Sequence, residues 1–419
     1  MTKTKKITLT TVIIIACAIT ALFIVLLCLP KKRAQSFTVA FYDLTGKQET
    51  AILEALQKAS QDAKISSVSL SNEEALLKAL PKKTDIVFTR MGKNADSLCE
   101  GKFKNYSFPS ADLSNYISSM RGKAVTDSNR NIIQLPILLD SYEIDINTKL
   151  LKTVKIEEPT TWKDLEEFAK LIKEAFVSIP ITFAGKDSDS FLTLLGALTE
   201  SYNGSESVLK AYKIIQDSIE QNEDTSQTIK KLCESPEAPM YAATHILSRW
   251  LREGLITREV FNFTKEDLEG FMTTKQTGIV FMTLTEHREQ DIDSTTRALY
   301  ETLPGANKQK SPFFPAFKTL SGRALTAPVI CAVAVSKNSA ALSATEALTQ
   351  NIYQEAMSRN TGLAPLSANA KTPDRQSDDA RFWVAASSVP LTPLPDAVFT
   401  TQKEKQLWAE LFKEYILKL

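Results

Sequence analysis

The chain has 419 residues, of which 50 are Lys or Arg, 49 are Asp or Glu and only two are His, for a formal charge of +1. Six of the basic residues flank an apolar segment near the N-terminus and no acidic residue precedes Asp43, so the body carries 44 basic against 49 acidic side chains, a net of −5. That balance argues against nucleic acid as a partner, because a basic surface supplies most of such affinity.

Ile7–Pro30 is a 24-residue stretch without a charge, preceded by Lys3, Lys5 and Lys6 and followed by Lys31, Lys32 and Arg33. As a helix it reaches roughly 36 Å, enough for a hydrocarbon core of about 30 Å. It is longer than the 7–15 apolar residues that a secretory signal needs. Basic residues on both sides leave its orientation open. Ile14-Ile15-Ala16-Cys17 matches a bacterial lipobox, and Val25-Leu26-Leu27-Cys28 is a poorer match because Leu27 is large. An uncleaved anchor, a lipoprotein acylated at Cys17 (Cys28 being the weaker candidate) and a cleaved signal all remain open.

The remaining chain suffices for two domains. Phe37–Tyr42 reads as a strand, Lys47–Asp62 as a helix, Ile65–Leu70 as a strand, Asn72–Leu80 as a short helix and Asp85–Thr89 as a buried strand ending at Arg90. This βαβαβ order predicts an α/β layout with a mainly parallel sheet, and ligands in such sheets sit outside the carboxyl ends of the strands, here near Tyr42-Asp43 and Arg90. Ile132–Asn147 is extended, interrupted by Pro136 and too long for one strand, so it is a candidate crossing between domains. Thr160 or Thr161 caps a helix that runs to about Phe176, with Asp164 and Glu166 in its first turn. Ile179–Phe183 is a strand, a mainly helical stretch follows to about Glu269, and Gly278–Thr283 is a strand. Leu325–Ser336 is a second crossing candidate, Ala341–Arg359 a helix closed by Gly362, Ala370–Asp379 a polar loop and Gln402–Leu419 the last helix.

Little in the chain suggests chemistry. His245 and His287 have no Cys or His neighbour at metal-ligand spacing, and no nucleophile elbow, phosphate-binding loop or dinucleotide fingerprint occurs. Neither an enzyme nor a metal or other cofactor is expected. Cys99, Cys233 and Cys331 are too few and too widely spaced for a disulfide framework, and Cys331 lies in an apolar run as a small core residue.

Leu135–Lys149 with Glu158–Leu165 (LPILLDSYEIDINTK and EPTTWKDL) carries a Pro, an extended crossing strand, the triplet Asn147-Thr148-Lys149 and the helix start Pro159-Thr160-Thr161-Trp162. In this it resembles the extracellular solute-binding proteins of ABC importers, in the branch that holds the maltose- and other sugar-binding proteins. Ile179–Gly185, Phe271–Met282, Ser336–Ser339 and Gly362–Pro365 are similar to further motifs of that family in the same order, so the resemblance runs from Phe37 to Leu419. Departures are Thr274 or Lys275 in place of a Gly, no Trp in Thr283–Glu286, and Phe399 as the one aromatic near Pro393–Val398. Each loses a feature that sugar binders use, the aromatic ones a stacking face.

The resemblance implies an α/β, two-lobed periplasmic-binding-protein-like fold with a hinge, preceded by one N-terminal membrane helix. Residues 1–35 form the anchor or signal, 36–139 plus 281–329 lobe I, and 140–280 plus 330–419 lobe II. Hinge strands are expected near Leu138–Asp140, Gly278–Thr283 and Pro328–Cys331. The implied role is a membrane-tethered solute-binding subunit that takes a small solute, a sugar or related compound, from outside the cytoplasmic membrane to an ABC permease. The alternative is the same fold used as a surface sensor or structural lipoprotein. Asp140 matches an acidic position that reaches ligand hydroxyls in maltose-binding relatives. Tyr42 and Asp43 end the first strand at the cleft mouth, and Arg90 suits an anionic or hydroxyl group or else a surface ion pair. Tyr142, Met282 and Thr283 would line the cleft, Trp250 is a stacking face or a core residue, and Phe399 is the C-terminal aromatic candidate. Trp162 is expected to pack at its helix start.

Overall fold

A computed structural model describes residues 35–121, 125–159, 161–302, 326–385 and 391–419. The apolar segment 7–30, with Cys17 and Cys28, lies outside the described residues. Among the described residues no helix is long and apolar enough to cross a membrane.

Two sheets divide the body into two lobes. The first has strand order β2-β1-β3-β9-β4, from β1 (Ser36–Tyr42), β2 (Lys64–Leu70), β3 (Ile86–Arg90), β4 (Gln134–Leu139) and β9 (Val329–Ala334). The β1 strand pairs parallel with β2 and β3, as the βαβαβ reading requires, while β9 inserts antiparallel between β3 and β4. The central β3 and β9 are almost wholly buried and apolar, as a strand covered on both faces must be. Ser-rich β2 is an edge strand and largely exposed. The other edge, β4, holds Pro136 beside a register shift, the place where a residue without an N–H can sit in a sheet. The first helix of this lobe, α1 (Gly46–Ala59), starts at a capping box in which Thr45 and Gln48 satisfy each other's backbone donors. It buries Ala51, Ile52, Ala55 and Leu56 against the sheet. Short α2 (Leu76–Ala79) and α3 (Lys93–Glu100) follow β2 and β3.

The second sheet has order β6-β7-β5-β8, from β5 (Tyr142–Asn147), β6 (Ile179–Phe183), β7 (Thr277–Thr283) and β8 (Tyr300–Thr302). Its helices are α4 (Thr148–Val154), α5 (Trp162–Glu174), α6 (Ser188–Asn203), α7 (Ser205–Gln221), α8 (Thr225–Cys233), α9 (Tyr241–Glu253), α10 (Lys265–Thr273), α11 (Leu284–Glu289) and α12 (Ser294–Leu299). Thr161, paired with Asp164 in a capping box, starts α5. One face of the sheet packs on α5 to α9 around Trp162, Trp250 and Phe281, whose rings lie 5.9 to 6.2 Å apart. Pairs of this kind add about 0.5–1.5 kcal/mol each beyond their burial.

The long extended stretch 132–147 is a crossing. It breaks into β4 of the first sheet and β5 of the second, with Asp140-Ser141 between them. The expected boundaries at 281 and 330 are corrected by the strand pairing. The whole of β7 pairs inside the second sheet, and β8 extends that sheet. The chain is back in the first lobe by β9, and stays there through α13 (Ser339–Ala347), α14 (Asn351–Thr361) and α15 (Arg375–Ala385), which place Ala341, Met357 and Val384 in the first core. The last two helices, α16 (Leu394–Val398) and α17 (Gln402–Lys418), return Leu394, Trp408, Phe412 and Ile416 to the second core.

Two element readings change for local reasons. The helix expected over 341–359 is two helices, because the buried Gln354 amide donates to the carbonyls of Leu348 and Ile137 and so ends α13 in a satisfied break. The loop expected at 370–379 becomes helical from Arg375, where the Asp374 carboxylate accepts from the Ser377 N–H. Gly362 closes α14 in the left-handed region at φ 76°, as its sequence position suggests. Cys99 and Cys233 are buried in different lobes as free thiols, and Cys331 is a free core residue of β9.

Candidate functional site

The carboxyl ends of β1 and β3 in the first lobe face the segment Leu394–Lys405 and the start of α6 in the second. Asp43 follows β1 in the left-handed region at φ 57°, which Asp tolerates better than most side chains. The turn presents its carboxylate across the cleft, where it accepts from Asn72 Nδ2 at 3.0 Å and lies 3.2 Å from Lys405 Nζ. Lys405 sits in the first turn of α17 and is almost fully buried. It reaches Asp189 at 2.5 Å as well, so a single ammonium bridges a carboxylate from each lobe. Arg90, at the end of β3, pairs with Asp396 of α16 at 3.8 Å. Asp43, Asp189 and Asp396 converge so closely that one ligand atom from each lies within 4.8 Å of the others.

The electrostatics follow from this convergence. Burial works against ionising Asp43, but Lys405 and then Arg90 outweigh it and hold its carboxyl well below the usual range. Asp396 goes the other way: burial raises it to about 6 despite Arg90 and Lys405. Its Oδ2 has no hydrogen-bond partner among the described residues. Lys405 and Arg90 stay cationic, since the facing aspartates more than offset their desolvation.

Hydrogen bonds extend the same seam. The Tyr42 hydroxyl lies 2.9 Å from the Glu74 carbonyl and 3.0 Å from that of Thr400 in the other lobe, and burial pushes its pKa up to about 12. Asn94 Nδ2 donates to the Thr400 carbonyl, the Gln402 N–H to the Asn72 carbonyl, and Gln402 Nε2 to Ser188 Oγ. Gly92, at φ 141°, lets the backbones touch: a Cβ there would lie 2.1 Å from the Asp396 carbonyl oxygen. On the far side Lys265 lies 3.3 Å from Asp187 and 3.5 Å from Glu286.

Of the residues singled out in the sequence, Tyr42, Asp43 and Arg90 come together in this seam. Asp140 is at the crossing itself, buried, with Oδ1 accepting from the N–H groups of Ser141 at 2.7 Å and Thr285 at 3.1 Å. Burial raises its pKa to about 7 against those bonds and Arg90. Thr283 caps α11 in a box with Glu286, and Thr285 Oγ1 accepts from Gln48 of the first lobe. The rest lie elsewhere. Trp250 is fully buried in the second core, its Nε1–H donating to Glu166, and Phe399 is fully buried against Trp408. Tyr142 stacks on Phe281 in the same core, and Met282 is buried on the opposite face of the sheet. Trp162 packs where expected. Sequence reading missed Asp189, Asp396, Thr400, Gln402 and Lys405. The search near Pro393–Val398 was for an aromatic, whereas the groups delivered there are polar.

No family profile and no curated protein matches this sequence. Solved structures do match. A bacterial solute receptor, AcbH, described as having an exclusive preference for β-D-galactopyranose, is 12% identical, with 92% of this chain and 98% of that one covered at a TM-score of 0.62. Maltose-bound MalE3 of T. maritima is 14% identical over 92% and 100% of the chains at 0.59. A sugar transporter protein of Bacillus licheniformis in complex with stachyose is 13% identical over 91% and 94% at 0.59. At these identities the likeness is one of fold: the body has the two-lobed architecture of the sugar-binding solute receptors.

Proposed function

We propose that this protein is the solute-binding subunit of an ABC importer and captures a small hydroxyl-bearing solute, a sugar or related compound, between its lobes. The observation that carries the reading is the convergence of Tyr42, Asp43 and Arg90 from one lobe with Asp189, Asp396 and Lys405 from the other at the carboxyl ends of the first-lobe strands, where ligands of open α/β sheets bind. The fold shared with sugar receptors supports it. Closure of such lobes around a solute is a hinge motion, driven only by a higher affinity for the closed state. Here the seam is bridged by the protein's own charges, so the solute exchanges contacts with Lys405 and Arg90 when it enters. With Trp250, Phe399 and Tyr142 in the core, recognition falls to hydrogen-bonding and charged groups, not to stacking on those rings.

Ile7–Pro30 supports a tether that keeps the body outside the cytoplasmic membrane near its permease, either as a helix or through lipid on Cys17. Intact-mass measurement of the purified chain distinguishes the two. The solute reading is tested by thermal shift of the full chain in detergent against monosaccharides, oligosaccharides, polyols and amino sugars. A ligand at 100 times its Kd stabilises by about 2.7 kcal/mol. A shift that is lost in Arg90→Ala and weakened in Asp140→Ala supports the reading, and no shift with any compound sinks it.

A further inference from the structure

The two lobes also meet at the other end of α11. The first turn of that helix faces the seam, where Thr285 bonds Gln48 and Glu286 meets Lys265. Its last turn carries Arg288 to the first lobe, where Nη2 lies 2.5 Å from Asp374 Oδ2, just before α15. Two more links join β8 to α15: Gln376 Nε2 donates to Thr302 Oγ1 at 3.3 Å, and Arg375 stands 4.0 Å from Glu301. The residues of these three bridges line a cavity of about 560 Å³, whose remaining wall comes from α12 and Ile292 before it. Its size suits a small organic molecule, since such pockets run to about 300–1,000 Å³. Arg375 and Glu301 are exposed at its rim, so the cavity opens to solvent.

The charges that line this cavity are matched, with one exception. Asp374 is held by Arg288, and Arg375 serves both Glu301 and, at 3.5 Å, Asp379. Arg297 of α12 forms no ion pair among the described residues; its Nη1 donates to the His287 carbonyl at 3.0 Å, and its Nη2 to those of Gln290 and Ile292 at 3.1 and 3.5 Å. These carbonyls orient the guanidinium without neutralising it. They use three of its five N–H donors and leave two for a further acceptor. Burial, and then Arg288 beside it, lower the Arg297 pKa, which is the direction for a cation that its surroundings do not balance. Ile292 and Ala298 add carbon surface to the same wall. A carboxylate with a carbon body answers both features. Its oxygens accept charge-assisted bonds from the guanidinium, and its apolar part leaves water against the side chains beside it.

We propose that this cavity is a second small-molecule site, distinct from the solute cleft, and that it takes a small organic carboxylate, with the acid group on Arg297 and the carbon body against Ile292 and Ala298. Residues of both lobes line it, so an occupant that touches both favours the arrangement in which the three bridges form, and its binding couples to the hinge. The site does not depend on the solute-binding reading, and its test does not involve a sugar.

The experiment titrates the full chain in detergent with benzoate, and with benzyl alcohol as its uncharged counterpart, by ligand-observed NMR. Saturable binding of benzoate is expected, with benzyl alcohol clearly weaker. Arg297→Gln should weaken benzoate by about tenfold to a hundredfold, the worth of a hydrogen bond to a charged group, while keeping its near-UV circular dichroism. Asp43→Asn in the cleft should bind benzoate as the wild type does. No saturable binding by the wild type overturns the proposal, as does equal affinity for benzyl alcohol, equal affinity in Arg297→Gln or loss in Asp43→Asn. If Arg297→Gln does not fold, photolabelling of the wild type with 4-benzoylbenzoate decides, read by peptide mapping. Label within residues 288–302 or 374–379 that benzoate competes away supports the site, and label confined to other segments overturns it.

Discussion

Two groups of three potential ligands occur among the described residues, and they are opposites. In the cleft, Asp43, Asp189 and Asp396 come with their own cations, Lys405 and Arg90, and the pairs Lys405–Asp43 and Arg90–Asp396 join the two lobes. Inside the second lobe, Glu143 and Asp145 face the His287 imidazole, are closed off from solvent and belong to one sheet with its covering helix. The cleft cluster neutralises itself by closing, so its charges couple to a hinge. The inner cluster cannot change its spacing without disrupting β5, so its charges stay fixed with the sheet and do not couple to the hinge. Similar residue types therefore carry different consequences according to whether the elements that hold them move.

The largest effect on this contrast is expected from Lys405→Met. Removing the ammonium leaves Asp43 and Asp189 facing each other with only Arg90 as a nearby counter-charge, and breaking a buried pair from one side costs about 3–5 kcal/mol. Denaturant unfolding should report that loss, with part of it restored by adding Asp43→Asn. A loss below about 1 kcal/mol would mean that the ammonium does not neutralise the cleft.

Asp140 gives the next effect, and it depends on pH. Its folded pKa of about 7 lies above the value of about 3.9 in an unfolded chain, so between these the native state holds a proton that the unfolded state has lost. Its contribution is complete below pH 4 and disappears as the pH rises through 7, a fall of about 2–4 kcal/mol. Asp396, at about 6, adds a smaller slope of the same sign. Asp140→Asn keeps an acceptor for Ser141 and Thr285 but removes the titrating group, so its stability curve should be flatter across pH 4 to 7. A slope equal to wild type would place the titration elsewhere.

Trp250→Phe separates core from cleft. Loss of the Nε1–H bond to Glu166 and of ring volume should cost about 1–3 kcal/mol, with any solute affinity unchanged. Weaker affinity at unchanged stability would return Trp250 to the binding site.

Gly92→Ala is expected to act least on stability, about 1–2 kcal/mol, and most visibly on shape. Its Cβ would displace the Asp396 backbone and separate the lobes, so small-angle scattering should show a larger radius of gyration. An unchanged radius would mean that the seam does not set closure.

Much of the architecture was legible in the sequence. The first three strands, the capped start of α5 at Thr161, the crossing at 132–147 and the closing glycine at 362 are all local signals. Each rests on neighbours a few residues apart, through side-chain alternation, a hydroxyl that accepts a backbone N–H, or an apolar run too long for one strand. Lobe assignment was not legible beyond 281, because an apolar strand such as β7 or β9 pairs equally well in either sheet until its partners are known. The chemistry was even less so. His287 stands 144 residues from Glu143, and Lys405 stands 362 from Asp43, so no spacing along the chain announces either cluster. Sequence alone determined most of the segments that become strands and helices, since those choices are made largely by bonds and packing within a turn or two, the break at Gln354 being the exception because its amide also bonds the distant Ile137 carbonyl. Only the tertiary structure decided which charges meet, because that depends on how two lobes fold over residues far apart in the chain, and whether a Trp lies in a cleft or in a core.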